Sequence, residues 1–136
     1  MSDVYLGNPN LKKANTEIEF TEEQIIEFLK CKEDPVYFAN NYIKIVSLDE
    51  GLTQFHPYDF QEKLIHNFHE NRFNICKMPR QTGKSTTVVS YLLHYAVFND
   101  SVNIGILANK AATARELLGR LQTAYENLPK WMQQGI

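Results

Sequence analysis

Residues 78–85, Met78-Pro79-Arg80-Gln81-Thr82-Gly83-Lys84-Ser85, are the stretch whose residue types and spacing could do chemistry. They match the end of the phosphate-loop pattern GxxxxGK[ST], with Met78 standing where the first glycine belongs. The pattern has a physical basis. Backbone N–H groups of the loop and of the following helix point at phosphate, and the helix macrodipole favours anionic charge there. Gly83 would let the backbone approach closely, Lys84 would reach the β- and γ-phosphates, and Ser85 would offer its hydroxyl to Mg²⁺. The implied cofactors are ATP and Mg²⁺. Gly-Lys-Ser alone occurs by chance. An expected strand before it, an expected helix after it and Thr86 next in line strengthen the match. Without a ligand, the same residues would make a basic capped turn.

Two features agree with a nucleotide site. Asp59-Phe60-Gln61 lies upstream of the loop, as the adenine-reading motif of helicase-like ATPases does. The Phe60 ring could stack on adenine, while the Gln61 amide could pair with both its donor and acceptor edges. Taken singly, Phe60 suits a core aromatic and Gln61 a solvent residue. Arg80 would bring a guanidinium to the γ-phosphate, where developing charge needs neutralising. Its structural alternative is an ion pair with a carboxylate. Glu62, His66 and His69 share a helical face but lack a further convincing ligand, so a solvated face is expected. Ile45-Val46-Ser47-Leu48-Asp49-Glu50 looks like a Walker B strand but precedes the loop it should follow, and a turn at Glu50-Gly51 is the better reading. Arg115 and Arg120 could touch DNA phosphates, although solvated helix arginines are the default.

The elements that must position these residues can be read from period and punctuation. Leu6-Gly7-Asn8-Pro9-Asn10 is turn chemistry, giving an extended arm over 1–15. Thr21-Glu22-Glu23-Gln24 is a capping box that opens a helix. Asp34-Pro35 caps a second, short helix. Residues 43–48 read as a strand or as the end of that helix, and 51–57 as a loop. Asp59 is expected to cap a third helix, which completes a helical leader over 16–70. Beyond it the period changes. Residues 72–78 and 102–108 read as strands, the second nearly continuous in apolar or small residues as a buried parallel strand should be. Helices from Lys84 to about Phe98 and from about Lys110 to Leu128 follow them. The predicted fold class is therefore α/β: an incomplete parallel sheet of the phosphate-loop NTPase type over 71–136, preceded by the helical leader.

Length and composition bound these readings. The chain has 136 residues, 43% of them hydrophobic, which argues against disorder and fits one domain. No apolar run approaches the ~18 residues of a membrane span, and the N-terminus has no basic and apolar leader, so neither a transmembrane nor a secreted protein is expected. Cys31 and Cys76 lie far apart without CxxC spacing, which suits a reducing compartment. The net charge of −2 hides an asymmetry, −7 over residues 1–70 and +5 over 71–136. The basic half could favour phosphate, although an acidic helical surface joined to a core with fewer carboxylates explains the split as well.

Taken together, these blocks resemble the large terminase subunit of tailed bacteriophages, of the myovirus type. The resemblance runs along nearly the whole chain. It is carried by Tyr5–Asn15, Asp34-Pro35-Val36-Tyr37-Phe38-Ala39, Tyr58-Asp59-Phe60-Gln61, Arg80-Gln81-Thr82-Gly83-Lys84-Ser85, Gly105-Ile106-Leu107-Ala108-Asn109-Lys110 and Leu128–Ile136. An Arg-Gln-x-Gly-Lys-[Ser/Thr] loop lacking the first glycine is typical of that family. The resemblance implies an ATPase that drives double-stranded DNA into a prohead. Phe60 and Gln61 would lie at adenine, Arg80, Gln81, Thr82, Gly83, Lys84, Ser85 and Thr86 at the phosphates, and Ser85 at Mg²⁺. Arg80 and Lys84 would be the catalytic residues, with Arg80 a finger acting in cis. The implied partners are DNA, the portal protein and a small terminase subunit, with a ring forming on the portal. The family's Walker B acids and nuclease domain lie beyond the point where this sequence stops, so hydrolysis by this chain alone is not expected. A helicase-like translocase fragment, or a docking protein with a vestigial loop, are the alternatives.

Overall fold

The structure, a computed structural model, describes residues 5–47, 49–79 and 83–133. Among them, a short 3₁₀ turn at Tyr5–Gly7 precedes helices α1 (Glu22–Glu33) and α2 (Pro35–Tyr42). Strands β1 (Lys44–Ser47) and β2 (Gly51–Gln54) follow, then helices α3 (Asp59–Glu70), α4 (Lys84–Phe98) and α5 (Ala111–Glu126).

The helix starts follow local chemistry. Thr21 Oγ1 accepts from the Gln24 N–H at 3.2 Å and the Gln24 side chain accepts from the Thr21 N–H at 3.0 Å, the reciprocal capping box. Asp34 Oδ1 accepts from Val36 and Tyr37 N–H, with Pro35 at the first helical position. Asp59, expected as a cap, is instead the first residue of α3, and Tyr58 is the N-cap. Gln61 decides this boundary, because its Oε1 accepts the Tyr58 N–H at 2.8 Å.

The parallel sheet is overturned. The described residues form helices around one two-stranded antiparallel sheet, β1 against β2, with Lys44 opposite Gln54 and Ile45 opposite Thr53. Residues 51–57, read as a loop, supply β2 and then the buried Phe55. Gly51 enters β2 at φ 70°, the left-handed conformation a glycine adopts without a Cβ penalty. Residues 72–78 and 102–108 belong to no strand. A parallel strand of a doubly covered sheet is buried on both faces, whereas Phe73, Ile75 and Leu107 are more than 80% exposed. Their apolar β-branched pattern reports a preference for extended backbone, and pairing is a separate, non-local condition that these segments do not meet.

One core joins the leader to the second half of the chain. Cys31, Phe38, Ala39, Ile43, Phe55 and Ile65 cluster with Leu93, Val97, Phe98, Ala124, Leu128 and Met132. Edge-to-face rings run through it, Phe38 on Phe98 at 5.3 Å and Phe28 on Phe98 at 5.1 Å. His94 is buried among them, its Nε2 2.7 Å from the Cys31 carbonyl oxygen. At one end, Glu27 accepts from the hydroxyls of Tyr37 and Tyr42, which hold its carboxyl below the usual range and tie α1 to α2.

The N-terminal arm is held by Gln133, a residue whose role the sequence pattern did not mark. The buried amide accepts from Lys12 N–H at 2.8 Å and donates to the carbonyls of Asn10, Tyr125 and Leu128. A near-isosteric Gln133→Leu substitution would desolvate those backbone groups without a partner. We expect a loss of about 2 kcal/mol in urea unfolding, with faster proteolysis of the arm. An unchanged midpoint would contradict the clamp.

Candidate functional site

Three of the residues singled out for phosphate chemistry, Gly83, Lys84 and Ser85, open α4. Gly83 is the N-cap at φ 76°, and Lys84 and Ser85 are the first two helical residues. The first intrahelical bond runs from Thr87 N–H to the Gly83 carbonyl at 3.0 Å, so the earlier N–H groups have no i−4 partner within the helix. Among the described residues no side chain caps this end, and its first turn holds no acid. Lys84 is exposed and Ser85 half-buried. A cation at the first helical position opposes the macrodipole, a local cost of up to about 1 kcal/mol that an anion bound there would offset. These features fit a phosphate group, with a serine hydroxyl available to a metal ion.

Gln61 ties α3 to this end. Its Nε2 donates to the Gly83 carbonyl at 3.2 Å while its Oε1 accepts from Tyr58 N–H, and the residue is only 3% exposed. The Thr87 hydroxyl donates to the same carbonyl at 2.9 Å. The approach is close: a Cβ on Gly83 would lie 2.6 Å from Gln61 Nε2. Taken singly Gln61 suits a solvent residue, and the resemblance implies that it lies at adenine. Here its side chain links α3 to the start of α4, and no sequence signal marks that role. Phe60 is 44% exposed and stacks on Tyr58, which is 71% exposed, with ring centres 6.0 Å apart and planes at 14°. With Pro57, Asp59 and Lys63 these rings line an open cleft.

The other expected residues lie elsewhere. Thr86 lines a cavity of about 620 Å³ between β1, α4 and α5, with Val89, Gly119 and Thr123. Arg120 lines it too, but among the described residues Gly83, Lys84 and Ser85 do not, so the phosphate residues do not converge there. Arg80, Gln81 and Thr82 lie outside the described residues. Of the Ile45–Glu50 segment, Ile45–Ser47 belong to β1 and Asp49-Glu50 form a turn just before β2, while Leu48 lies outside the described residues. Glu62 is half-buried and His66 exposed, while His69 Nδ1 lies 3.4 Å from the Tyr91 hydroxyl. Among the described residues no group of three His, Cys, Asp or Glu side chains is placed to hold a metal. Arg120 pairs with Glu116 at 2.8 Å on the exposed side of α5.

No protein-family model matches the chain. No helix among the described residues is long and apolar enough to cross a membrane.

Proposed function

We propose that this chain is the ATP-binding N-terminal portion of a terminase large subunit, the ATPase that moves double-stranded DNA into a prohead. The observation that carries this reading is the hydrogen bond from Gln61 Nε2 to the Gly83 carbonyl. It joins the Tyr58-Asp59-Phe60-Gln61 block to the Gly83-Lys84-Ser85 block, two motifs that the family uses on one nucleotide. On this reading Lys84 and the first N–H groups of α4 hold the phosphates, Ser85 holds Mg²⁺, and Gln81 and Thr82 complete the loop, while Thr86 follows in the helix. Arg80 is the proposed finger. ATP supplies the phosphoanhydride whose cleavage powers transport, and this chain's residues bind and orient it. The proposed partners are DNA, the portal protein and a small terminase subunit, in a ring at the portal vertex in the host cytoplasm.

Lys84→Ala tests the reading through two opposed effects. Removing a cation from the first helical position should leave the unliganded fold as stable or up to about 1 kcal/mol more stable. Losing a charge-assisted contact should weaken ATP·Mg²⁺ binding about tenfold or more. Calorimetric titration beside urea unfolding reads both. Unchanged affinity in a stable variant would remove Lys84 from the site and favour a docking role with a vestigial loop.

A further inference from the structure

We propose that the outward face of α1 is a docking surface for an amphipathic helix of another protein, one whose apolar stripe has basic residues at both ends.

Helix α1 is apolar on two sides. Phe28 and Cys31 face the core. Ile25, Ile26 and Leu29 turn outward and are 47%, 54% and 54% exposed. Single exposed apolar side chains are ordinary on a protein surface, whereas three large ones on one helix face mark a contact surface. Residues three or four apart share a helix face, so the outward stripe reads Glu22, then Ile25 and Ile26, then Leu29, then Glu33. It is apolar at its centre and acidic at both ends.

The acids decide the occupant. Residues 17–33 hold six glutamates and two lysines. Lys30 lies 4.0 Å from Glu27 and over the Tyr37 ring, and Lys32 borders the stripe on its inner edge. Among the described residues neither Glu22 nor Glu33 is in an ion pair. Glu22 in the first turn suits the helix dipole, but Glu33 closes α1 at its C-terminal end, where a carboxylate opposes it. A cation brought by a partner would offset that opposition. An anionic lipid surface would meet the wrong charge, because helices that lie on membranes carry Lys and Arg beside their apolar face. A second copy of α1, face to face in either direction, would set glutamate against glutamate. A helix with apolar anchors one turn apart and Lys or Arg beyond them matches the stripe in both respects. The anchors supply contact area, and the charges fix register and exclude acidic partners.

The probes are two synthetic helical peptides of about 18 residues with the same leucine stripe, one ended by lysines and the other by glutamates. Titrated into the whole chain, the lysine peptide should bind about tenfold more tightly or better. Ile26→Gln combined with Leu29→Gln should weaken it by about tenfold or more and leave the urea midpoint in place, since both side chains are exposed and Gln is a good helix former. Glu22→Gln combined with Glu33→Gln removes no apolar contact, and should bring the two peptides within about threefold of each other. This second pair carries the test if the first lowers the midpoint. Equal affinity of the two peptides for the wild-type chain overturns the proposal, as does binding of neither, or an unweakened lysine peptide on the Ile26→Gln, Leu29→Gln protein. Two other occupants would also overturn it. Lipid is the occupant if the wild-type chain, but not that variant, sediments with phosphatidylcholine vesicles. A second copy is the occupant if the wild-type chain self-associates with concentration and that variant does not.

Discussion

Lowering the pH from 7 to 5 should cost this protein about 2 kcal/mol of stability through one side chain, rising to about 3 kcal/mol by pH 4. His94 is 3% exposed, and burial pushes its imidazole down to about 4 from 6.5. Its Nε2 lies on the Cys31 carbonyl, and the His69 ring 5.8 Å away opposes a second positive charge. Cys31, Lys32 and Asp34 act in the opposite direction but do not offset desolvation. The folded state therefore keeps His94 neutral where the unfolded chain already takes up a proton. Its contribution is fully present above 6.5, falls as the pH drops through that value, and is gone below about 4. Urea midpoints at pH 7, 6 and 5 measure it. A His94→Gln variant, which keeps an N–H donor and does not titrate, should start less stable but lose much less over the same range. Parallel slopes for the two proteins would rule His94 out as the cause. The window stops at pH 5 because Glu27, held low by Tyr42 and Tyr37, adds a further loss of stability below it.

Gly83→Ala should cost about 3 kcal/mol and disrupt the geometry of the proposed nucleotide site. Two effects add. At φ 76° an L-residue pays about 1–2 kcal/mol for the left-handed conformation. The new methyl would also sit 2.6 Å from Gln61 Nε2, and that amide is not free to swing aside. Moving it forfeits its bonds to the Gly83 carbonyl and to Tyr58 N–H, each worth about 1 kcal/mol. A double-mutant cycle separates the two effects. In a Gln61→Ala background the collision is absent, so Gly83→Ala should cost only the backbone strain. Simple additivity of the two substitutions would show that the close approach carries no energy.

The sequence showed local structure well and long-range pairing poorly. The starts of α1 and α2 follow from Thr21, Gln24, Asp34 and Pro35, whose hydrogen bonds close within four residues. The span of α4 was legible from its apolar period and from the glycine before it. The strands were not. Residues 72–78 and 102–108 have strand composition, but the ladder formed at 44–54, where a left-handed Gly51 and a three-residue connection bring two neighbours together. Local closure won over a pairing that must bridge a 15-residue helix. The site shows the same division. Gly83, Lys84 and Ser85 were legible as a motif, and the burial of Gln61 against Gly83 was not, because 22 residues separate them. His94 and Gln133 gave no motif at all. Their roles depend on partners 63 and 121 residues away.

Whether the start of α4 binds a nucleotide is tested most directly by titrating the whole chain with ATP and Mg²⁺ in a calorimeter, beside the Lys84→Ala variant. Saturable binding with a Kd below about 1 mM is expected, weakened about tenfold or more in the variant. No saturable binding by the wild-type chain at millimolar ATP, or equal binding by both proteins, would contradict a phosphate site at Gly83-Lys84-Ser85.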